Sequence, residues 1–193
     1  MRLYLKQSLF HHPNCMTKIV SYLVLCYLLL IMTGCRSQIN SSKLPDNFYK
    51  ISKDIYRSEQ PSSKEMQYLA GLGFKTVINL RLWHSDRDEI TNTGIAEVWI
   101  KLRAGKITDE KIIEILKVIN KSPKPILIHC WHGSDRTGVI VAMYRLVFQK
   151  WKKSEAINEL MQPEFGHHFN IYPNIVKYIE NADIEKIREA VFQ

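Results

Sequence analysis

Short apolar runs alternate with amphipathic stretches along most of the chain, and the alternation has the period of strands followed by helices. Thr76-Val77-Ile78-Asn79-Leu80 and Ile126-Leu127-Ile128-His129 read as buried strands, 95–102 as another, and 48–56 as one or two short ones. Helices are predicted over 62–71, with serine near the start and glycine at the end, over 107–120, and at about 138–150, 154–161 and 173–191, the last broken near Ala182. This order predicts an α/β fold: a single domain with a central, mostly parallel sheet flanked by helices. No internal repeat is present.

The N-terminal pattern is different. Residues 19–32 carry no charge, follow Lys18 and precede Thr33-Gly34-Cys35-Arg36. A run of this length is short for a bilayer span but suits the apolar core of a signal peptide. Ile31-Met32-Thr33-Gly34-Cys35 resembles the lipobox of bacterial lipoproteins, which implies cleavage before Cys35 and acylation of its thiol. An ordinary signal peptide or an uncleaved anchor remains the alternative. The expected organisation is a lipoprotein-type signal peptide at 1–34, a lipidated tether at 35–47, polar and serine-containing at its start, and the folded domain at 48–193. Met16-Thr17-Lys18 is a second candidate start. The expected location is the cell envelope, as a membrane-anchored lipoprotein facing the periplasm or the exterior. Arg36, where inner-membrane lipoproteins of enteric bacteria carry aspartate, favours the outer membrane where one exists.

Charge adds a preference of substrate. The chain has 27 basic and 19 acidic residues, a formal net charge of +8. Arg2, Lys6 and Lys18 precede Cys35 with no acidic residue, so the remainder holds 24 basic against 19 acidic. A moderately basic domain suits phosphorylated substrates or an anionic membrane surface. No basic stripe interleaved with aromatics points to nucleic acid. A monomer is the default expectation. Of the four cysteines, Cys15, Cys26 and Cys35 lie in or at the end of the targeting segment, leaving Cys130 as the one thiol of the domain. Neither an internal disulfide nor a cysteine zinc cluster can form there.

Cys130 sits where the chemistry concentrates. In His129-Cys130-Trp131-His132-Gly133-Ser134-Asp135-Arg136-Thr137-Gly138 a strand hands over to a helix, with a cysteine six positions before an arginine. Backbone N–H groups and the positive end of a helix dipole stabilise a thiolate. The same N–H groups, from Trp131, His132, Gly133, Ser134, Asp135 and Arg136, would bind phosphoryl oxygens. Arg136 adds a planar two-pronged donor that follows charge in the transition state. Gly133 lets the loop turn, and the Thr137 hydroxyl can donate to the sulfur. Taken alone, Cys130 would be a small buried hydrophobe. The arginine, the glycine and the strand-to-helix setting turn the reading to a phosphate loop.

His129-Cys130 through Arg136, extended by Thr137-Gly138, resembles the His-Cys-x5-Arg signature of the cysteine-based protein tyrosine phosphatases. Ile55-Tyr56-Arg57-Ser58-Glu59-Gln60-Pro61 and Gly73-Phe74-Lys75-Thr76-Val77-Ile78-Asn79-Leu80-Arg81 extend the likeness to the compact dual-specificity branch in its bacterial and atypical forms, over roughly 48–182. The resemblance implies a dual-specificity-phosphatase-like fold, a phosphocysteine on Cys130, a supporting His129 that tunes the thiol, and no metal or organic cofactor. Expected substrates are phosphorylated proteins, phosphotyrosine above all, or small phosphoesters. The alternatives are a phosphoinositide, inositol phosphate or lipid-headgroup phosphatase, and a catalytically silent phospho-binding lipoprotein.

The general acid is less legible. The family places an aspartate about thirty residues before the cysteine, where this chain has Trp99-Ile100-Lys101-Leu102-Arg103-Ala104-Gly105-Lys106. Asp135 is the preferred candidate, because an aspartate before the signature arginine resembles myotubularin-like lipid phosphatases; its competing role is to orient Arg136. Asp109 is the alternative general acid, although Thr108-Asp109-Glu110 also reads as a helix start. Asp86 and Asp88 remain further options. His132 either meets substrate or is exposed, Trp131 either rims the pocket or packs on the fold, and His167-His168 are read as surface residues.

Overall fold

Five strands form one sheet in the order β1-β2-β5-β3-β4 in the computed structural model, which describes residues 43–193. The strands are β1 (Tyr49–Lys50), β2 (Ile55–Ser58), β3 (Thr76–Asn79), β4 (Ala96–Trp99) and β5 (Ile126–His129). β1 pairs antiparallel with β2, and every other pairing is parallel. β5 lies centrally, with His129 opposite Ser58 on one side and Asn79 on the other. β3 and β5 are buried at every position, as expected of parallel strands covered on both faces. The predicted α/β fold with a mostly parallel sheet is the observed one.

Alternation along the strands sorts side chains to two cores. Val77 and Leu127 point toward α1 (Ser63–Gly71) and join Met66, Leu69 and Phe74. Ile78, Ile126 and Ile128 face the larger layer with α2 (Asp109–Lys121), α3 (Asp135–Phe148), α4 (Lys153–Leu160), α5 (Pro173–Asn181) and α6 (Ile184–Phe192). Ser62 and Glu65 close a reciprocal cap that starts α1. α2 buries Ile112, Ile115, Leu116 and Ile119 at helical spacing. α3 is buried on nearly every side because it lies between β2 and β5 and the helices α2, α4, α5 and α6.

Three boundaries differ from the sequence reading. α3 begins at Asp135 rather than 138, so Asp135 and Arg136 lie in its first turn. The 95–102 strand is shorter: pairing ends at Trp99, and Ile100 and Leu102 continue only with single bonds to Asn79 and Leu80 carbonyls. Contacts to the domain also begin ahead of residue 48. Asp46 accepts from the Glu59 N–H at 3.0 Å, and Asn47 donates to the His132 carbonyl at 2.9 Å. The signal segment, Cys35 and the tether up to residue 42 lie outside the described residues.

Candidate active site

The signature loop leaves the carboxyl end of β5, the central strand, and enters α3, a helix long enough for its dipole to matter. Open parallel sheets bind ligands at this edge. Four successive carbonyls of the loop are engaged by donors outside it or at its base. His129 Nδ1 reaches the Cys130 oxygen at 3.0 Å, the Gln60 N–H the Trp131 oxygen at 3.0 Å, Asn47 the His132 oxygen, and Arg57 Nη2 the Gly133 oxygen at 2.5 Å. In a trans peptide the next N–H points opposite to its carbonyl, and among the described residues the cis bond is Lys124–Pro125. The N–H groups of Trp131, His132, Gly133 and Ser134 are thereby turned to the other side, into the loop. Such a nest of amides is an anion site.

Gly133 adopts φ +70°, and a Cβ there would stand 2.4 Å from the Ser58 carbonyl oxygen. Backbone meets backbone at that point, so glycine is required on both conformational and steric grounds. Cys130 is a free thiol, 2 % exposed. His129 is fully buried, and its Nε2 lies 2.6 Å from Asp86 Oδ2. Both partners of the ring are acceptors, a backbone carbonyl and a carboxylate. Gln60 donates to the other Asp86 oxygen at 2.8 Å. Arg57 is buried under the loop with its guanidinium 4.4 Å from the Phe165 ring centroid. Burial pulls its pKa down to about 10, against the raising influence of Glu159 and Cys130.

Cys130 opens into a cavity of about 430 Å³ whose walls include Arg81, Trp131, Asp135, Arg136, His168 and Tyr172. Arg136, Asp135 and Cys130 are thus brought together as expected. Trp131 stands at the rim, half exposed, with the Arg81 guanidinium 4.1 Å from its ring centroid. His132 is exposed and also lines the cavity. Ser134 precedes α3 without capping it and bonds the His132 carbonyl at 3.3 Å. The Thr137 hydroxyl is buried with no hydrogen-bond partner, so the expected bond to sulfur is not formed in this geometry.

Asp135 carries the main departure from the sequence reading. His167 Nδ1 lies 2.7 Å from Oδ1, the His168 N–H reaches the same oxygen at 2.9 Å, and His168 Nδ1 lies 2.8 Å from Oδ2. Burial alone would raise the Asp135 pKa, but these bonds outweigh it and bring it down to about 2. With both oxygens taken by donors, the carboxylate stands as an acceptor in this geometry. The histidines differ from the sequence reading: His167 is no surface residue, its side chain being 1 % exposed. A buried carboxylate needs donors, and this pair supplies them. Gly166, at φ +65°, brings the segment against Ser134, where a Cβ would lie 3.0 Å from the hydroxyl.

The other acid candidates lie elsewhere. Asp109 starts α2, accepts from the Tyr178 hydroxyl at 2.9 Å and sits 3.8 Å from Lys186, apart from the cavity lining. Asp86 is buried against His129, and Asp88 is exposed on its loop. His84, Asp86 and Glu89 bring three potential metal-ligand atoms within 4.8 Å, but His84 is bonded to Glu89 and Asp86 to His129 and Gln60. The cluster reads as a brace for His129. Sequence reasoning missed Asn47, Arg57 and Gln60 as carriers of the loop. Arg57 and Gln60 belong to the Ile55–Pro61 stretch, where a charged residue inside a strand was the available signal.

The profile of the family described as tyrosine phosphatase family matches residues 44–190. The dual specificity protein phosphatase TpbA of Pseudomonas aeruginosa is 30% identical over 147 residues, which cover 75% of this chain and 66% of TpbA. The chain thus spans just under two thirds of that relative's length. The inositol diphosphatase DSP2 of Oryza sativa is 30% identical over 126 residues, 60% of each chain. The crystal structure of P. aeruginosa TpbA superimposes with a TM-score of 0.70 at 29% identity, covering 77% of this chain and 92% of that one. The core catalytic domain of the Saccharomyces cerevisiae PP-IP phosphatase Siw14, at 24% identity and a TM-score of 0.66, shares the fold over 76% of this chain and 91% of its own. With a matching profile that runs from ahead of β1 into the last helix, and with the cysteine, glycine and arginine of the loop in place, the chain belongs to the tyrosine phosphatase family.

Proposed function

We propose that the chain is a cysteine-dependent phosphomonoester hydrolase of the tyrosine or dual-specificity type, acting as a monomer. The observation that carries this reading is the amide nest around Cys130 with Arg136 on the same cavity wall. The Cys130 thiolate attacks phosphorus in line, the P–O bond to the leaving alcohol breaks, and a phosphocysteine forms. Water then breaks the S–P bond, releasing phosphate and restoring the thiolate. The amides and Arg136 hold the equatorial oxygens through both transition states. His129, braced by Asp86, fixes the Cys130 carbonyl. TpbA supports the choice of substrate, since a cysteine-to-serine form of that protein has been crystallised with phosphotyrosine.

A second reading rests on a groove beside the site. Leu82 and Trp83 line both the cavity and a neighbouring depression walled by Lys101, Arg103, Lys106 and Lys111. A groove of cations suits a substrate with further phosphates, such as an inositol phosphate or lipid headgroup. Phosphate release by the full chain from a phosphotyrosine peptide, an inositol polyphosphate and a phosphoinositide vesicle separates the two. Turnover abolished by Cys130→Ser is the expected result. Binding without turnover on all three would leave a silent phospho-binding module.

We further propose that the chain is a lipoprotein anchored at Cys35, in the cell envelope. Support comes from the uncharged 19–32 run and the Thr33-Gly34-Cys35 ending. Several acyl chains on one residue give durable attachment. Radiolabelled palmitate incorporation lost in Cys35→Ser, with the protein leaving the membrane fraction, is the expected outcome. Labelling that persists in the variant would sink the idea.

A further inference from the structure

The site as described lacks a proton donor for the leaving oxygen, and the surroundings of Asp135 point to one. Asp135 is the one carboxylate among the residues lining the cavity. Both its oxygens are taken, by three donors from the His167–His168 segment. The two histidines are bonded alike but placed differently. His167 is enclosed, and its Nε2 is buried without a partner, so it can exchange no proton with solvent or substrate. His168 has a side chain 43 % exposed and lines the cavity that holds Cys130. Its Nδ1 faces a carboxylate oxygen, which fixes the proton on that nitrogen and leaves Nε2 for chemistry. No hydrogen bond engages Nε2 among the described residues. A carboxylate holding Nδ1 of an imidazole whose other nitrogen is left unbonded is a known way to orient a general acid–base.

We propose that His168 is the general acid and base of the reaction, held in its tautomer by Asp135, with His167 as a positioning residue that anchors the carboxylate. The proposal rests on the phosphatase reading above. In the first step imidazolium Nε2–H gives its proton to the ester oxygen as the P–O bond breaks. In the second, neutral Nε2 takes a proton from the attacking water as the S–P bond breaks, which returns imidazolium and thiolate. The groups that face His168 are Asp135 on α3, His132 on the signature loop, whose ring centroid is 5.9 Å away, and His167 beside it in the chain. Cys130, Arg136, Arg81 and Tyr172 share the cavity.

The test compares kcat/KM, which reports steps through phosphocysteine formation, for the full chain and its His168→Asn and His168→Gln variants. Two esters are used: phenyl phosphate, whose leaving group needs a proton, and 2,4-dinitrophenyl phosphate, whose leaving group does not. The expected result is a loss of about 10²-fold on phenyl phosphate with a change within about two-fold on the dinitrophenyl ester. Added imidazole should restore part of the phenyl phosphate rate in His168→Ala. Equal losses on both esters would reduce His168 to a structural role, and no loss on phenyl phosphate would remove it from the reaction; either overturns the proposal. Absence of turnover by the wild-type chain on both esters would overturn the phosphatase reading along with it, whereas Cys130-dependent turnover indifferent to His168 would overturn this inference alone.

Discussion

Arg57 Nη2, on the strand paired with β5, donates to the Gly133 carbonyl at 2.5 Å and turns the next amide of the signature loop inward. The guanidinium is buried, so its bond is made where water cannot replace it. Hydrogen bonds from charged groups of this kind contribute about 1.5–3 kcal/mol. Arg57→Met is expected to lower stability by that order, read as the midpoint of denaturant unfolding, and to lower kcat/KM by at least about ten-fold through a loosened loop. Unchanged kcat/KM in a folded variant would show that the loop holds its shape without the arginine.

Gly133→Ala tests the close approach to Ser58. The added Cβ meets main-chain atoms of Ser58 and Glu59, which have no rotamer through which to retreat. Loss of phosphate or vanadate binding is expected even where the fold persists by circular dichroism. Gly138→Ala is the contrasting case, because its Cβ meets the end of the Leu160 side chain, which can move.

The Asp135 carboxyl, brought down to about 2, sets a pH window. A group with a depressed folded-state pKa stabilises the fold above its unfolded pKa, and that contribution is lost as pH falls through the folded value. The Tm advantage of wild type over Asp135→Asn is therefore expected to be full above about pH 5, near and above the ordinary aspartate value. It should shrink steadily toward pH 2. A difference independent of pH across that range would contradict the pairing with His167 and His168.

Asp109 ties α2 to α5 and α6 through Tyr178 and Lys186 and lies apart from the cavity lining. Burial and the bond to Asp109 push the Tyr178 pKa far above the ordinary tyrosine range. In Asp109→Asn, turnover is expected to stay within about two-fold, while Tyr178 ionises at lower pH in an alkaline ultraviolet titration. A large fall in turnover would return Asp109 to the list of acids.

The signature loop and most elements were legible in the sequence because they are local. Apolar runs such as 126–129 bound strands, and a cysteine, glycine and arginine at fixed spacing across a strand-to-helix junction leave few other readings. The start of α3 was placed three residues late because Asp135 and Arg136 read as loop chemistry, although an acid in the first turn suits the helix dipole.

What only the tertiary structure decided is which residues serve that loop from a distance. Asn47, Arg57 and Gln60 hold carbonyls that lie about seventy to eighty-five positions away in the chain, and His167 and His168 reach Asp135 from more than thirty. No periodicity records such pairs. The sequence by itself determined the fold class and the loop that joins Cys130 to Arg136 across a strand-to-helix junction, since each is written in neighbouring residues. The state of Asp135 depended on what folding brought to its two oxygens, because a carboxyl's role as donor or acceptor is set by its partners and burial and not by its place in a motif.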